Sequence, residues 1–173
     1  MIQAIAQLGE PVLKTVAQPV DQFGDALTAL LSRMEHTMLA ANGVGIAAPQ
    51  IFVSQRALII ASRPNPRYPD APSMAPLALI NPEIVQLGGE WSSAFEGCLS
   101  VPGIRGRVRR RNEVTVRYQD AQGHFQQSQF SGFAARIFLH EYDHLEGRTF
   151  LDQIQSSDDL IATSVLEQAC SSA

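Results

Sequence analysis

Residues 138–147 read FLHEYDHLEG, with histidines at 140 and 144 and a glutamate at 141. Two histidines four positions apart share a face on an α-helix, where such residues stack one turn above the other. If this stretch is helical, His140 and His144 can both reach one ion at the roughly 2.0–2.1 Å of a zinc–imidazole bond. Glu141 then lies beside the first ligand, close enough to reach a water there without ligating the ion itself. The competing reading is a surface helix that carries two histidines and several acids by chance. The surrounding pattern supports a helix from Gly132 to Glu146, with Gly147 standing where a C-terminal cap belongs.

The rest of the chain must fold around that helix. Residues 25–41 place Ala26, Leu27, Leu30, Leu31, Met34, Met38 and Leu39 at helical spacing, and Asn42-Gly43 tolerates the left-handed turn that ends such a helix. Short β-like runs follow at Gly45–Ala48, Arg56–Ala61, Leu77–Ile80, Val114–Tyr118 and Phe125–Phe130, with Asp120–Gly123 as a hairpin turn. Residues 62–76 carry five prolines and read as an exposed loop. A short helix is expected over Asp158–Ala169. There is no internal repeat. The expected architecture is α+β: small antiparallel β-sheets packed around a central helix that carries HExxH, with a C-terminal helix, all in a single domain spanning 1–173.

Composition narrows the function. The 173 residues are 45% hydrophobic and 17% charged, ordinary for a globular protein, and the net charge of −4 argues against a protein built mainly to hold nucleic acid, DNA included. No apolar run approaches the ~20 residues of a membrane helix, and the N-terminal stretch lacks the features of a signal peptide. A cytoplasmic location is expected, so Cys98 and Cys170 read as reduced thiols, and a free cysteine is available for chemistry.

HExxH is the spacing of zinc peptidases, in which a third ligand lies downstream. No histidine follows His144 here. Glu146 is two residues beyond it and points elsewhere, which leaves Glu167 as the one peptidase-type ligand. Upstream, in AFEGCLSVPG (94–103), Cys98 offers a thiolate that suits zinc or ferrous iron. Its bland alternative is a small buried hydrophobe.

Three stretches, GVGIAAPQ (43–50), EGCLS (96–100) and HEYDHLEG (140–147), resemble in this order the motifs of peptide deformylases. The resemblance runs from VLKTVAQPV near the N-terminus to about Leu151, and RYPDAP (67–72) and SVPGIRG (100–106) resemble some bacterial members. It implies that Cys98, His140 and His144 bind one divalent metal with water as the fourth ligand. The implied reaction removes the formyl group from N-terminal formyl-methionine of newly made polypeptides and releases formate. The alternatives are a HExxH metalloendopeptidase and a catalytically idle binding relative.

The resemblance also assigns roles. Glu141 is the general base and later the acid toward the leaving amine. The side-chain amide of Gln50 and the backbone N–H of Leu99 form the oxyanion hole. Gly43, Val44, Gly45 and Gly97 meet the substrate peptide, the 43–45 segment by main-chain pairing as an added strand. Val44, Phe133 and Ile137 are the candidates for an apolar methionine pocket. Ferrous iron is the expected native metal, with zinc, nickel or cobalt as substitutes. The expected partners are N-formyl-methionyl nascent peptides, with a transient ribosome contact and a monomeric enzyme. His36 and His124 fall in no motif and are expected at the surface. RGRVRRR (105–111), the one basic cluster, reads as a solvated edge strand, with a contact to ribosomal RNA or to peptide carboxylates as the alternative. Many members carry glutamine immediately before HE, where this chain has Leu139, so a polar contact beside the metal ligands is expected to be missing.

Overall fold

Alternation of side chains across a few short apolar strands organises the core. In the computed structural model, which describes residues 1–171, α1 spans Asp25–Ala40, α2 Gly132–Leu145 and α3 Thr163–Ser171. The strands are β1 (Gly45–Ala47), β2 (Ala57–Ile60), β3 (Leu77–Cys98), β4 (Val101–Gln119), β5 (Phe125–Ser131) and β6 (Leu160–Ala162). They join in one antiparallel sheet of order β1-β2-β3-β4-β5, with β6 paired to β4. On β2, Leu58 and Ile60 enter a core cluster shared with α2, while Ala57 and Ile59 enter a second cluster shared with α1. The two helices therefore cover opposite faces of the same strands, as period-2 alternation requires. Phe138 on α2 is fully buried, and removing a side chain of that kind from water contributes roughly 1.5–3 kcal/mol.

Helix α2 ends as the sequence foretold. Gly147 adopts φ +71°, its N–H donates to the His144 carbonyl, and the N–H of Arg148 donates to the Asp143 carbonyl. That double closure needs a left-handed residue at position 147, which glycine adopts without strain. It also turns the chain sharply where the loop meets Lys14, whose carbonyl carbon would lie 2.9 Å from an added Cβ.

Four expectations are corrected. The stretches 81–98 and 101–113 are strands, so β3 and β4 form one long two-stranded arm, interrupted by register shifts at Ile80/Glu83, Ile84/Gln86, Gly88/Trp91 and Glu96/Cys98. RGRVRRR is an edge only in part and is not wholly solvated: residues 107–111 pair with β3 alone, but Arg105 and Gly106 also pair with β6, and Arg105 and Arg110 are buried. The 62–76 loop is not wholly exposed, since Ala71 is buried and Tyr68 packs against the α2-side core. The tail expected as one helix divides into β6 and α3. His36 and His124 are exposed, and Leu139 is buried in the α2-side core.

Candidate metal centre

The helix and the β3–β4 arm bring three soft or borderline donors together. The ligand atoms of Cys98, His140 and His144, all buried, lie within 4.8 Å of one another. His140 and His144 come from successive turns of α2, with ring centroids 5.4 Å apart and planes at 73°. Cys98 ends β3 and places its Sγ 3.3 Å from His144 Nε2. One thiolate and two imidazoles in a buried cluster are a donor set that fits zinc or ferrous iron. Glu167 is exposed on α3 and takes no part in the cluster, and Glu146 pairs with Arg56 at 2.6 Å.

Hydrogen bonds orient the donors. Glu96 Oε1 accepts from His140 Nδ1 at 2.9 Å, which fixes the ring and leaves Nε2 for an ion. The same carboxylate accepts from Arg110 Nε (2.7 Å) and Nη2 (3.0 Å) and from Arg136 Nη1 (2.8 Å). Arg110 also donates to Asp143 at 2.9 Å. Arg136 is tied to the Val108 and Ser92 carbonyls at 2.9 and 3.0 Å. Burial alone would raise the Glu96 carboxyl, but the bonds from His140 and Arg110 outweigh it and hold the group well below the usual carboxylate range. His144 Nδ1, by contrast, is buried with no hydrogen-bond partner.

The charges respond to one another. Burial would raise the Cys98 thiol, yet the neighbouring His144 and His140 hold it well below its ordinary value. Burial opposes the charged forms of both histidines, and the thiolate overcomes it and raises both. The cluster thus keeps the thiolate form that a metal needs. Glu141 is different: burial pushes its carboxyl up to about 7, and its Oε2 has no hydrogen-bond partner. An uncommitted buried carboxyl of that acidity, next to a metal-ligand set, is suited to carrying protons near neutral pH.

One cleft gathers nearly every residue named from the sequence. Val44, Gly45, Gln50, Gly97, Cys98, Leu99, Phe133, Ile137, His140 and Glu141 line it together with Arg67, Tyr68, Phe95, Glu96 and Arg136. Gly43 lies just behind, where an added Cβ would stand 3.0 Å from Leu99 Cδ1. Its carbonyl accepts from Arg63 Nη1 at 3.0 Å, and β1, which begins at Gly45, is the edge strand of the sheet. Gln50 is locked: Oε1 accepts from the Ala47 N–H at 2.9 Å, while Nε2 donates to Ser100 Oγ at 3.2 Å and faces Cys98 Sγ at 3.6 Å. At Gly45 an added Cβ would stand 2.6 Å from Glu141 Oε1 and 2.8 Å from Ile137 Cγ2, so the helix approaches the strand closely enough to exclude a larger residue.

Sequence reasoning missed Glu96, Arg110, Arg136 and Tyr68. Two of them had a readable signal. Glu96 precedes Cys98 by two, the spacing that keeps strand side chains on one face, and Arg136 precedes His140 by one helical turn. Tyr68 and Arg110 reach the site only through the tertiary fold.

Comparison with known proteins identifies the family. The polypeptide deformylase family profile matches residues 2–159. The chain is 49% identical over 154 residues to peptide deformylase 2 of Nostoc sp., covering 88% of this chain and 86% of the relative. It is 50% identical over 151 residues to peptide deformylase 2 of Shewanella oneidensis, covering 87% and 83%. The class I type b peptide deformylase of Acinetobacter baumannii with bound Met-Ala-Ser superposes with a TM-score of 0.86 at 47% identity, over 89% of this chain and 99% of that one. Motifs, fold and cluster agree, and the chain belongs to the polypeptide deformylase family.

Proposed function

We infer that this protein is a metal-dependent hydrolase that removes the formyl group from the N-terminal formyl-methionine of new polypeptides, releasing formate. The observation that carries the reading is the buried Cys98, His140 and His144 cluster beside the uncommitted Glu141 carboxyl. A divalent ion held by Cys98, His140 and His144 would polarise the formyl oxygen and make water at the site more acidic. Ferrous iron is the native ion in this account, with zinc, nickel or cobalt as substitutes.

The protein's own groups perform the remaining work. Glu141 takes a proton from the attacking water and returns one to the leaving amine, a role worth typically about 10²–10⁴ in rate. The Gln50 amide, aimed at the cluster by its bonds to Ala47 and Ser100, and the Leu99 N–H donate to the oxygen that gains charge. Glu96 keeps the His140 ring turned. The free edge of β1, together with Gly43 and Gly97, receives the peptide as an added strand, which makes recognition largely blind to side chains beyond the first. Val44, Phe133 and Ile137 form the apolar wall for the methionine side chain. The structure of the relative from Acinetobacter baumannii has Met-Ala-Ser bound, which supports a peptide that begins with methionine as the ligand class.

We further propose a monomeric, cytoplasmic enzyme of bacterial type, folded as one domain, whose substrates are nascent chains met in transient contact with the ribosome. Among the described residues, no helix is long and apolar enough to cross a membrane. The test sets Cys98→Ser against Glu167→Gln, with metal content and deformylation both measured. Loss of metal and activity in the first and neither in the second is expected. The reverse pattern would restore the HExxH endopeptidase reading.

A further inference from the structure

The β3–β4 arm carries a surface that hydrolysis does not use. Along β4, Val108 and Arg110 face inward and are buried, while Arg107 and Arg109 are exposed and Arg111 is half-buried on the opposite face. Across the ladder, Arg107 pairs with Phe95, Arg109 with Ser93 and Arg111 with Trp91. The Arg107 guanidinium carbon lies 5.0 Å from the Phe95 ring centroid, and those of Arg109 and Arg111 each lie 4.8 Å from that of Trp91. Trp91 is 52% exposed. Among the described residues no carboxylate lies within ion-pair distance of these three arginines, whereas Arg56, Arg110, Arg117 and Arg136 all have acidic partners. The run ends at Glu113.

We infer that this arginine–aromatic face of the β3–β4 arm binds single-stranded RNA. The charge is complementary: on a chain of net charge −4, this face presents three cations in a row with no acidic partner among the described residues, Arg111 also donating from Nη1 to the Gly89 carbonyl at 2.7 Å. Strand geometry spaces alternate residues by about 6.8 Å, so the three arginines leave the strand at even intervals along which a phosphate backbone can run. Arginine grips phosphate with a planar fork, and bases stack on aromatic rings and on guanidinium planes alike. A two-stranded arm with an exposed tryptophan among arginines supplies both. An acidic peptide would use the charges but not the rings. A bilayer would call for several apolar side chains to insert beside the arginines, and between 91–95 and the paired 107–111 Trp91 is the one large exposed hydrophobic among the described residues, Val85, Leu87 and Ile104 lying elsewhere on the arm.

The position gives the face a use. Phe95, under Arg107, also lines the cleft that holds Cys98 and Glu141, so RNA lying on the arm would run to the mouth of that cleft. Docking on RNA there would hold the enzyme where short, newly exposed chain ends emerge. The inference goes beyond deformylation and requires neither a metal nor hydrolysis.

The test titrates metal-loaded, full-length protein into a labelled short oligouridylate, followed by anisotropy and by the emission of Trp91, the only tryptophan of the chain. Quenching of Trp91 is expected. With three phosphates neutralised on a single strand, the slope of log affinity against log salt is about −2, so affinity falls roughly 20-fold between 50 and 200 mM salt. R107S/R109S/R111S removes binding and leaves formate release unchanged. R109E alone, should the triple variant fail to fold, weakens binding at least about tenfold, as expected from loss of a contact and a new repulsion on the same line. No binding at low salt overturns the proposal, as does binding that survives both variants. Equal affinity for a polyglutamate peptide, or binding to phosphatidylglycerol vesicles without binding to RNA, would also overturn it.

Discussion

Replacing Glu96 with alanine removes one carboxylate from four hydrogen bonds: two from Arg110, one from Arg136 and one from His140. Arg110 keeps only Asp143, and Arg136 keeps only neutral oxygens of Val108 and Ser92. Both guanidinium groups stay buried. Removing one partner of a buried ion pair costs about 3–5 kcal/mol, because the remaining charge has lost its compensation. At about 2–4 °C per kcal/mol for a protein of this size, the melting temperature should fall by roughly 6–20 °C. The same change frees the His140 ring, and loss of such an orienting bond weakens metal binding by about 10–100-fold. Urea unfolding of the chelated protein isolates the first effect, and competition with a chromophoric chelator isolates the second. The sign with pH is fixed. The folded carboxyl titrates well below its ordinary value, so its contribution is complete above about 4.5 and is lost as pH falls through the lower folded value. Wild type and variant should therefore differ fully at neutral pH and converge only in strong acid. A loss under about 1 kcal/mol, typical of exposed pairs, would refute the reasoning.

Gly45→Ala places a methyl group against Glu141 Oε1 and Ile137 Cγ2, at 2.6 and 2.8 Å, and must displace one of them. Turnover should fall about 10²-fold, the cost of misplacing a reacting group by about 1 Å, with metal content unchanged when measured by atomic absorption. In the chelated protein the folded Glu141 carboxyl is raised by burial from 4.5 to about 7. The native state then binds that proton more tightly than the unfolded chain, so stability falls as pH rises from about 4.5 through about 7. Chelated Glu141→Gln lacks this loss, and its urea midpoint should exceed that of chelated wild type above pH 7 and match it near pH 4.5.

The site was more legible than the sheet. His140, Glu141 and His144 are fixed by helical spacing, which is local and survives any packing. Cys98 became a ligand candidate because no downstream residue could serve as well. The long arm was invisible because residues 81–98 alternate weakly: one edge of β3 beyond Ile80 is unpaired, so polar and small residues such as Gln86, Gly88, Gly89 and Ser92 occupy both faces. RGRVRRR misled for a related reason. A buried arginine such as Arg110 looks like surface in a sequence, since only the fold brings Glu96 and Asp143 beneath it. The loop holding Tyr68 reads as solvent-exposed from its prolines, yet Tyr68 lies 5.3 Å from Phe133, ring to ring, across the cleft wall. Leu139 fills the core between α2 and the sheet and has no polar group to offer beside the ligands.

The most direct measurement is formate release from formyl-Met-Ala-Ser by protein purified without oxygen and loaded in parallel with iron, nickel or zinc, alongside metal-loaded Glu141→Gln. The account predicts formate from the wild type with at least one of these metals, and about a 10²–10⁴-fold loss in the variant with its metal retained. Full metal occupancy without formate from any preparation would contradict it.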